Sequence, residues 1–280
     1  MNIDPRAVTR VTCFAVALSA TVASGSAQAD VTHASHRAFY EISIGRVDFN
    51  SNIVDARGRM VAEWRQACDG WTTNQRLIVS MAPSEGDPIE SEVTMTTFES
   101  LEGDAYSFDS ETKVGGETVE QVRGNAKRPG RGLPGTATYS EPRGLKLDLP
   151  GNTVFPFEHT IEILEAAERG ERRAISYYFD GSQPGISPMI ANTLILGKPS
   201  NATVGKYKKF GKLSDAKWWS VRLALFDGKA VGSGNEAPEF EMTQLLQDNG
   251  VVRKFEFDYG KFTLVAGLVK IVEIAEPKCD

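Results

Sequence analysis

The sequence predicts a mainly β protein: about fourteen antiparallel strands in a curled, spiral or barrel-like sheet packed on one α-helix. Three observations carry that expectation. Segments rich in β-branched and aromatic residues alternate apolar and polar positions along most of the chain. Glycine-bearing turns such as Asp69-Gly70, Gly115-Gly116 and Asn249-Gly250 separate them. One stretch, 155–170, carries convincing helical spacing. A curled sheet gives that helix a surface to pack on and hides strand edges.

The first 29 residues read as an export signal. Arg6 and Arg10 give a positive start, 11–23 is apolar, and Ser24-Gly25-Ser26-Ala27-Gln28-Ala29 is a small-residue cleavage pattern ending at Ala29. The apolar run is shorter than the roughly 20 residues a spanning helix needs. Cys13 lies inside the run and away from the cleavage point, which argues against lipidation. The alternative is an uncleaved anchor helix. Residues 30–280 then form a single β-rich domain, with no later membrane-spanning stretch, in the oxidising periplasm.

The strands are expected in order at 36–44, 54–64, 71–81, 91–100, 105–112, 117–126, 135–140 and 145–149. In the first, Ala38, Tyr40, Ile42 and Ile44 share a face; in the second, Val54, Ala56, Gly58, Met60, Ala62 and Trp64 do. The helix follows, with Pro156 near its start and Gly170 just past its end. Phe157, Thr160, Ile161, Leu164 and Ala167 form its apolar face. Strands resume at 174–180, 191–197, 218–227, 239–247, 251–258 and 262–274, and 181–190 is a loop.

Two cysteines follow the export signal, Cys68 and Cys279. An even pair in an exported protein reads as one disulfide, the alternatives being two unrelated thiols or a bridge between molecules. A bridge would tie the end of the chain to an early strand and contribute at most about 5 kcal/mol.

The chain is net acidic, −6 at pH 7, and its charge is segregated. Acids crowd 84–120, where Lys113 is the sole base, and bases crowd 122–147. Arg123, Lys127, Arg128 and Arg131 are the candidate binding surface, for an anionic envelope component or an acidic periplasmic protein. Lys206-Tyr207-Lys208-Lys209-Phe210-Gly211-Lys212 is a second basic cluster, read as charge that blocks aggregation, the alternative being a further basic face for anionic envelope material or an acidic partner. Net acidity and the compartment exclude nucleic acid. Trp218 and Trp219 open a strand and point to opposite faces, one buried and the other a candidate anchor, the alternative being that both pack beneath loops.

Catalytic signatures are sparse. The chain holds no Gly-x-Ser-x-Gly elbow, phosphate loop or dinucleotide fingerprint. The histidines are His33, His36 and His159. His159 and Glu162 are spaced to share one metal, but no second pair joins them, so a structural His159 and no metal or cofactor are expected. Acids such as Asp104, Asp109, Glu111, Glu117 and Glu120 mostly alternate with apolar residues, as solvent faces of strands do, although paired carboxylates could cut a glycan.

Ser35-His36-Arg37-Ala38, Gly58-Arg59-Met60, Cys68-Asp69-Gly70-Trp71, Phe98-Glu99-Ser100 and Gly124-Asn125-Ala126 carry a resemblance that runs in order through 31–279. Leu149-Pro150-Gly151, Phe155-Pro156-Phe157-Glu158-His159, Asp180-Gly181-Ser182, Asn249-Gly250-Val251, Asp258-Tyr259-Gly260 and Cys279 continue it. The chain resembles the alphaproteobacterial cell-envelope integrity protein B (EipB) family, a domain of unknown function. The resemblance implies a periplasmic spiral of β-sheet around a helix, a Cys68–Cys279 disulfide, a role in envelope integrity under stress, and no catalytic residues. The function expected is non-enzymatic binding of a protein or envelope component. A carrier of lipid or lipoprotein and an envelope glycan hydrolase are the alternatives. An empty apolar interior would favour the carrier; a filled one, a scaffold.

Overall fold

The computed structural model describes residues 33–185, 188–201, 210, 213, 216–228 and 237–279. The export signal at 1–29 and the basic cluster at 206–212, apart from Phe210, lie outside the described residues. The elements in chain order are β1 (His36–Val47), β2 (Ile53–Gln66), β3 (Gly70–Pro83), β4 (Ile89–Ser100), β5 (Ala105–Val114), β6 (Glu117–Lys127), β7 (Gly135–Glu141), β8 (Lys146–Leu149) and β9 (Thr153–Val154). Then come α1 (Pro156–Glu168), β10 (Arg173–Tyr178), β11 (Met189–Gly197), β12 (Trp218–Phe226), β13 (Phe240–Gln247), β14 (Val252–Asp258) and β15 (Phe262–Glu273).

The strands form one sheet. Its order runs from β8 back to β1, crosses to β15, and descends to β9. Neighbours pair antiparallel except β9 and β10, which pair parallel through Tyr177–Thr153 and Tyr178–Val154. β9 is the strand that sequence periodicity does not reveal, because two residues carry no period. The outermost strands, β8 and β9, are separated in the chain by Pro150, Gly151 and Asn152 alone. Three residues therefore draw the two free edges together, and the ribbon curls into a nearly closed barrel. Asn152 turns that corner at φ 64°, a left-handed conformation that asparagine tolerates better than most residues.

Alternation places the core. On β1, Ala38, Tyr40 and Ile42 are buried while Arg37 and Glu41 face outward. These residues join Ala56, Met60 and Ala62 of β2, Val221 of β12, Leu246 of β13, and Leu264 and Ala266 of β15 around Ile163 and Leu164 of α1. A second, aromatic cluster of Tyr106, Phe108, Tyr139, Phe155 and Phe179 fills the side under β5–β8. The helix buries more than one face. Glu158, His159, Ile163 and Ala166 are buried, although amphipathic spacing centres the apolar stripe on Phe157, Ile161 and Leu164. The helix lies inside a curled sheet, so protein surrounds it on several sides.

Trp218 and Trp219 point to opposite faces and both are buried, so of the two readings the one in which both rings pack within the fold holds, and neither is a free anchor. Trp219 joins the main core. Trp218 sits 5.4 Å from the guanidinium of Arg253, which also lies 5.1 Å over the ring of Phe210. Arg253 is the extra residue of a β-bulge, where Val252 and Lys254 pair with the adjacent Leu246 and Leu245. The bulge aims its side chain at Gln247, to which its Nε–H donates, and this covers the tryptophan.

Cys68, in the β2–β3 turn, and Cys279, six residues past β15, form a disulfide with Cα atoms 5.5 Å apart. The tail between is held at its start, where Ile274 N–H donates to Ser35 O at 2.9 Å. Cys68→Ser is expected to lower the melting temperature by about 5–15 °C. Limited proteolysis of that variant should cut first after Glu273. Equal melting of oxidised and reduced wild-type protein would count against the bridge as a stabilising link.

Candidate functional site

The helix start is built from distant parts of the chain. Phe155 occupies the N-cap position and offers no capping oxygen. Glu99 of β4 supplies it instead: its two carboxylate oxygens accept from the backbone N–H groups of Phe157 at 2.8 Å and Glu158 at 2.9 Å. Burial pushes the Glu99 carboxyl up to about 7, with the neighbouring charge of Glu158 adding to it against the two N–H donors.

Glu158 in turn accepts from Arg128 at 2.5 Å and from Arg131 at 2.9 Å. The Arg128 side chain is 1% exposed; it also donates to Gly103 O and Thr153 O and lies 4.8 Å over Phe155. Arg131 donates further to Leu101 O at 2.8 Å. Two of the four arginine and lysine residues read as a binding surface are thus spent on the fold. Arg123 is paired with Asp109 across the β5–β6 register at 2.7 Å, and Lys127 is exposed. Antiparallel pairing explains the Arg123–Asp109 contact, since the β5–β6 hairpin brings an acid and a base segregated along the chain face to face; Arg128 and Arg131 meet Glu158 because the helix start lies against the end of β6.

An aromatic cluster closes the end of the barrel beside the disulfide. His33 stacks 5.7 Å from His36, His36 5.0 Å from Trp64, and Trp71 4.7 Å from Phe157 of the helix. Burial, then the nearby His36, lowers His33 to about 3; burial lowers His36 to about 4. Both are buried neutral rings, where terminal fraying would leave them solvated. The Asn249-Gly250 turn belongs to the same cluster. It is a β-turn, Gly250 N–H to Gln247 O at 2.9 Å, followed by Gly250 at φ 78°. A Cβ there would stand 2.0 Å from the His33 ring, so only glycine lets the backbone pass beneath the imidazole.

Between helix and sheet lies a cavity of about 440 Å³, within the range of small-molecule sites. Met60 of β2, Met95 and Thr97 of β4, Phe157 and Ile163 of α1, and Leu223 of β12 are among its walls. His159 borders it as well, with Nε2 3.4 Å from Thr193 Oγ1, and burial lowers this ring to about 4. No group of three or more His, Cys, Asp or Glu able to hold a metal occurs among the described residues. Of the residues singled out from sequence as a binding surface, none lines the cavity. Its lining was missed because inward-facing Met, Gln and Thr read as ordinary alternation. The adjacent carboxylates Glu99 and Glu158 are buried outside its lining and fully engaged, so they do not form a hydrolytic pair open to a glycan.

A single sheet curled into a near-barrel on one helix, pinned by a disulfide and hollow inside, defines a cavity-bearing β-barrel-like protein. The chain belongs to the EipB-like family, whose model matches residues 27–275. The cell envelope integrity protein EipB of Brucella abortus (strain 2308) is 34% identical over 250 residues, covering 89% of this chain and 87% of that protein. The crystal structure of a β-barrel-like protein of domain of unknown function DUF1849 from Brucella abortus superposes with a TM-score of 0.77 at 31% identity. It covers 87% of this chain and 99% of that one.

Removing Glu158 leaves Arg128 buried without its counter-charge. Glu158→Ala should therefore cost about 3–5 kcal/mol in urea unfolding, more than Arg123→Ala, whose exposed ion pair is worth about 1 kcal/mol or less. Comparable losses in the two variants would overturn this account of the helix anchor.

Stability also depends on pH in a defined sense. His33, His36 and His159 have folded values of about 3 to 4, below the ordinary 6.5, so their contribution is full above 6.5 and lost as pH falls. Glu99 and Glu162, raised to about 7 chiefly by burial, act oppositely: their contribution is full below 4.5 and lost as pH rises through 7. Three histidines oppose two glutamates between 6.5 and 4.5, and act alone below. The urea midpoint should fall gently over the first interval, more steeply from pH 4.5 to about 4, and less steeply from there to 3, where His33 acts alone. A midpoint flat over the whole range below pH 4.5 would mean the histidines are solvated.

Proposed function

We propose that the protein is a non-enzymatic binding protein of the periplasm that serves envelope integrity by sheltering an apolar segment of a lipid or lipoprotein inside its barrel. The cavity carries this reading, because the helix does not fill the curled sheet and the space left is mostly apolar-walled. The scaffold alternative loses its best surface, since Arg128, Arg131, Trp218 and Trp219 are engaged within the fold. The disulfide supports an oxidising compartment. The name of the Brucella relative supports the envelope role.

The test uses oxidised, delipidated protein and the neutral fluorophore N-phenyl-1-naphthylamine. Saturable binding with a blue-shifted emission is expected. Met95→Trp, which adds volume at a half-buried wall position, should weaken binding about tenfold while melting stays close to wild type. Absence of binding, or binding indifferent to Met95→Trp, would overturn the proposal.

A further inference from the structure

The cavity has a polar end, and that end is negative. Asp180, Ser182 and Gln183 follow β10 and line it, and Glu239 lines it just ahead of β13. Glu239 is the exposed member of the lining, which marks this end as the mouth. Met60, Ile163, Leu223 and Leu225 are buried and form the floor.

No lysine or arginine lines the cavity among the described residues, and neither Asp180 nor Glu239 takes part in an ion pair there. The three buried acids among the described residues are, by contrast, each compensated. Glu158 is met by two arginines, Glu63 by Arg37 and Arg65, and Glu99 by two helix N–H groups. Asp180 accepts from Ser182, two residues on, through N–H at 2.9 Å and Oγ–H at 2.7 Å, and has the buried Tyr178 hydroxyl as a further hydrogen-bond partner; these donors fix the carboxylate and none of them carries a positive charge. The two cavity histidines bring no positive charge, since burial holds both rings neutral. Aromatic faces stand beside the mouth: Phe240 follows Glu239 and lies 6.3 Å from Phe257, itself stacked 5.7 Å from Phe255. Ring faces and carboxylates attract a cation and repel an anion. A phosphate or carboxylate headgroup would meet two uncompensated negative charges on entering.

We infer that the occupant is an amphiphile with an apolar chain and a protonated amine headgroup, the chain on the floor of Met60, Ile163, Leu223 and Leu225 and the amine at Asp180 and Glu239. The inference rests on the reading of the cavity as a binding site and narrows it to one ligand class.

The experiment displaces N-phenyl-1-naphthylamine from the oxidised protein with dodecylamine, dodecanol and dodecyl sulfate, each below its micellar concentration. Dodecylamine should bind about tenfold more tightly than dodecanol, and dodecyl sulfate most weakly. Raising the salt should shrink the amine's advantage. Asp180→Asn preserves an oxygen for Ser182, and Asp180→Asn or Glu239→Gln should each bring the amine-to-alcohol affinity ratio towards one. Equal binding of the three chains, or a ratio unmoved by both variants, would overturn the amine headgroup and leave the cavity reading in place. Failure of the fluorophore and all three chains to bind would overturn the cavity reading as well.

Discussion

One buried guanidinium holds this architecture in register. Arg128 lies just past β6, yet it touches the β4–β5 turn through Gly103, β9 through Thr153, and the helix through Glu158 and Phe155. The Gly103 turn and the segment from Thr153 to Glu158 are far apart in the chain. A charge so deeply buried is tolerable only with its counter-charge and hydrogen bonds in place. The sheet can therefore close only in the arrangement that delivers Glu158 to Arg128. Glu99 adds the second constraint by capping the helix from β4. The start of α1 is thereby tied to β4 and to the end of β6, and the disulfide ties the tail of the last strand to the β2–β3 turn.

What the sequence discloses follows from which interactions are local. Period-two alternation in β1 and β2 is set by side chains on one strand, so the inward faces could be assigned from Ala38, Tyr40, Met60 and Ala62. The helix is legible for the same reason, from Pro156 to Gly170. The burial of Arg128 is not, because its partner stands 30 residues away and nothing in a run of arginines says which one turns inward. The same limit applies to the helix cap, supplied by Glu99 from 59 residues upstream of Glu158, while the local sequence offers only Phe155. Trp218 illustrates a different limit. Alternation fixes that its ring opposes that of Trp219, but its cover comes from the bulged Arg253 and from Phe210, which no periodicity connects.

The cavity is a consequence of strand number. Barrels of about eight strands are just filled by their own side chains, and larger ones enclose a lumen. A fifteen-strand ribbon curled on itself must have its interior filled by something else. Here α1 occupies part of it, and the rings of Tyr106, Phe108, Phe155 and Phe179 occupy the part beneath β5–β8. Both are anchored on the side where Arg128 and Glu99 hold the helix start. The unfilled volume is left between α1, β2–β4 and β10–β14.

The composition of that space indicates what kind of occupant it suits. Four of the six methionines in the chain, Met60, Met95, Met189 and Met242, line it, against none in the tightly packed aromatic cluster. Methionine is unbranched and readapts its rotamers at small cost, so a methionine wall conforms to chains of differing length and shape. The aromatic cluster does the reverse: stacked rings with fixed spacing make a rigid partition. A cavity walled in part by methionine would select weakly for the apolar part of a ligand. Discrimination must then come from the polar residues at the mouth, where Asp180 and Glu239 supply charge of one sign.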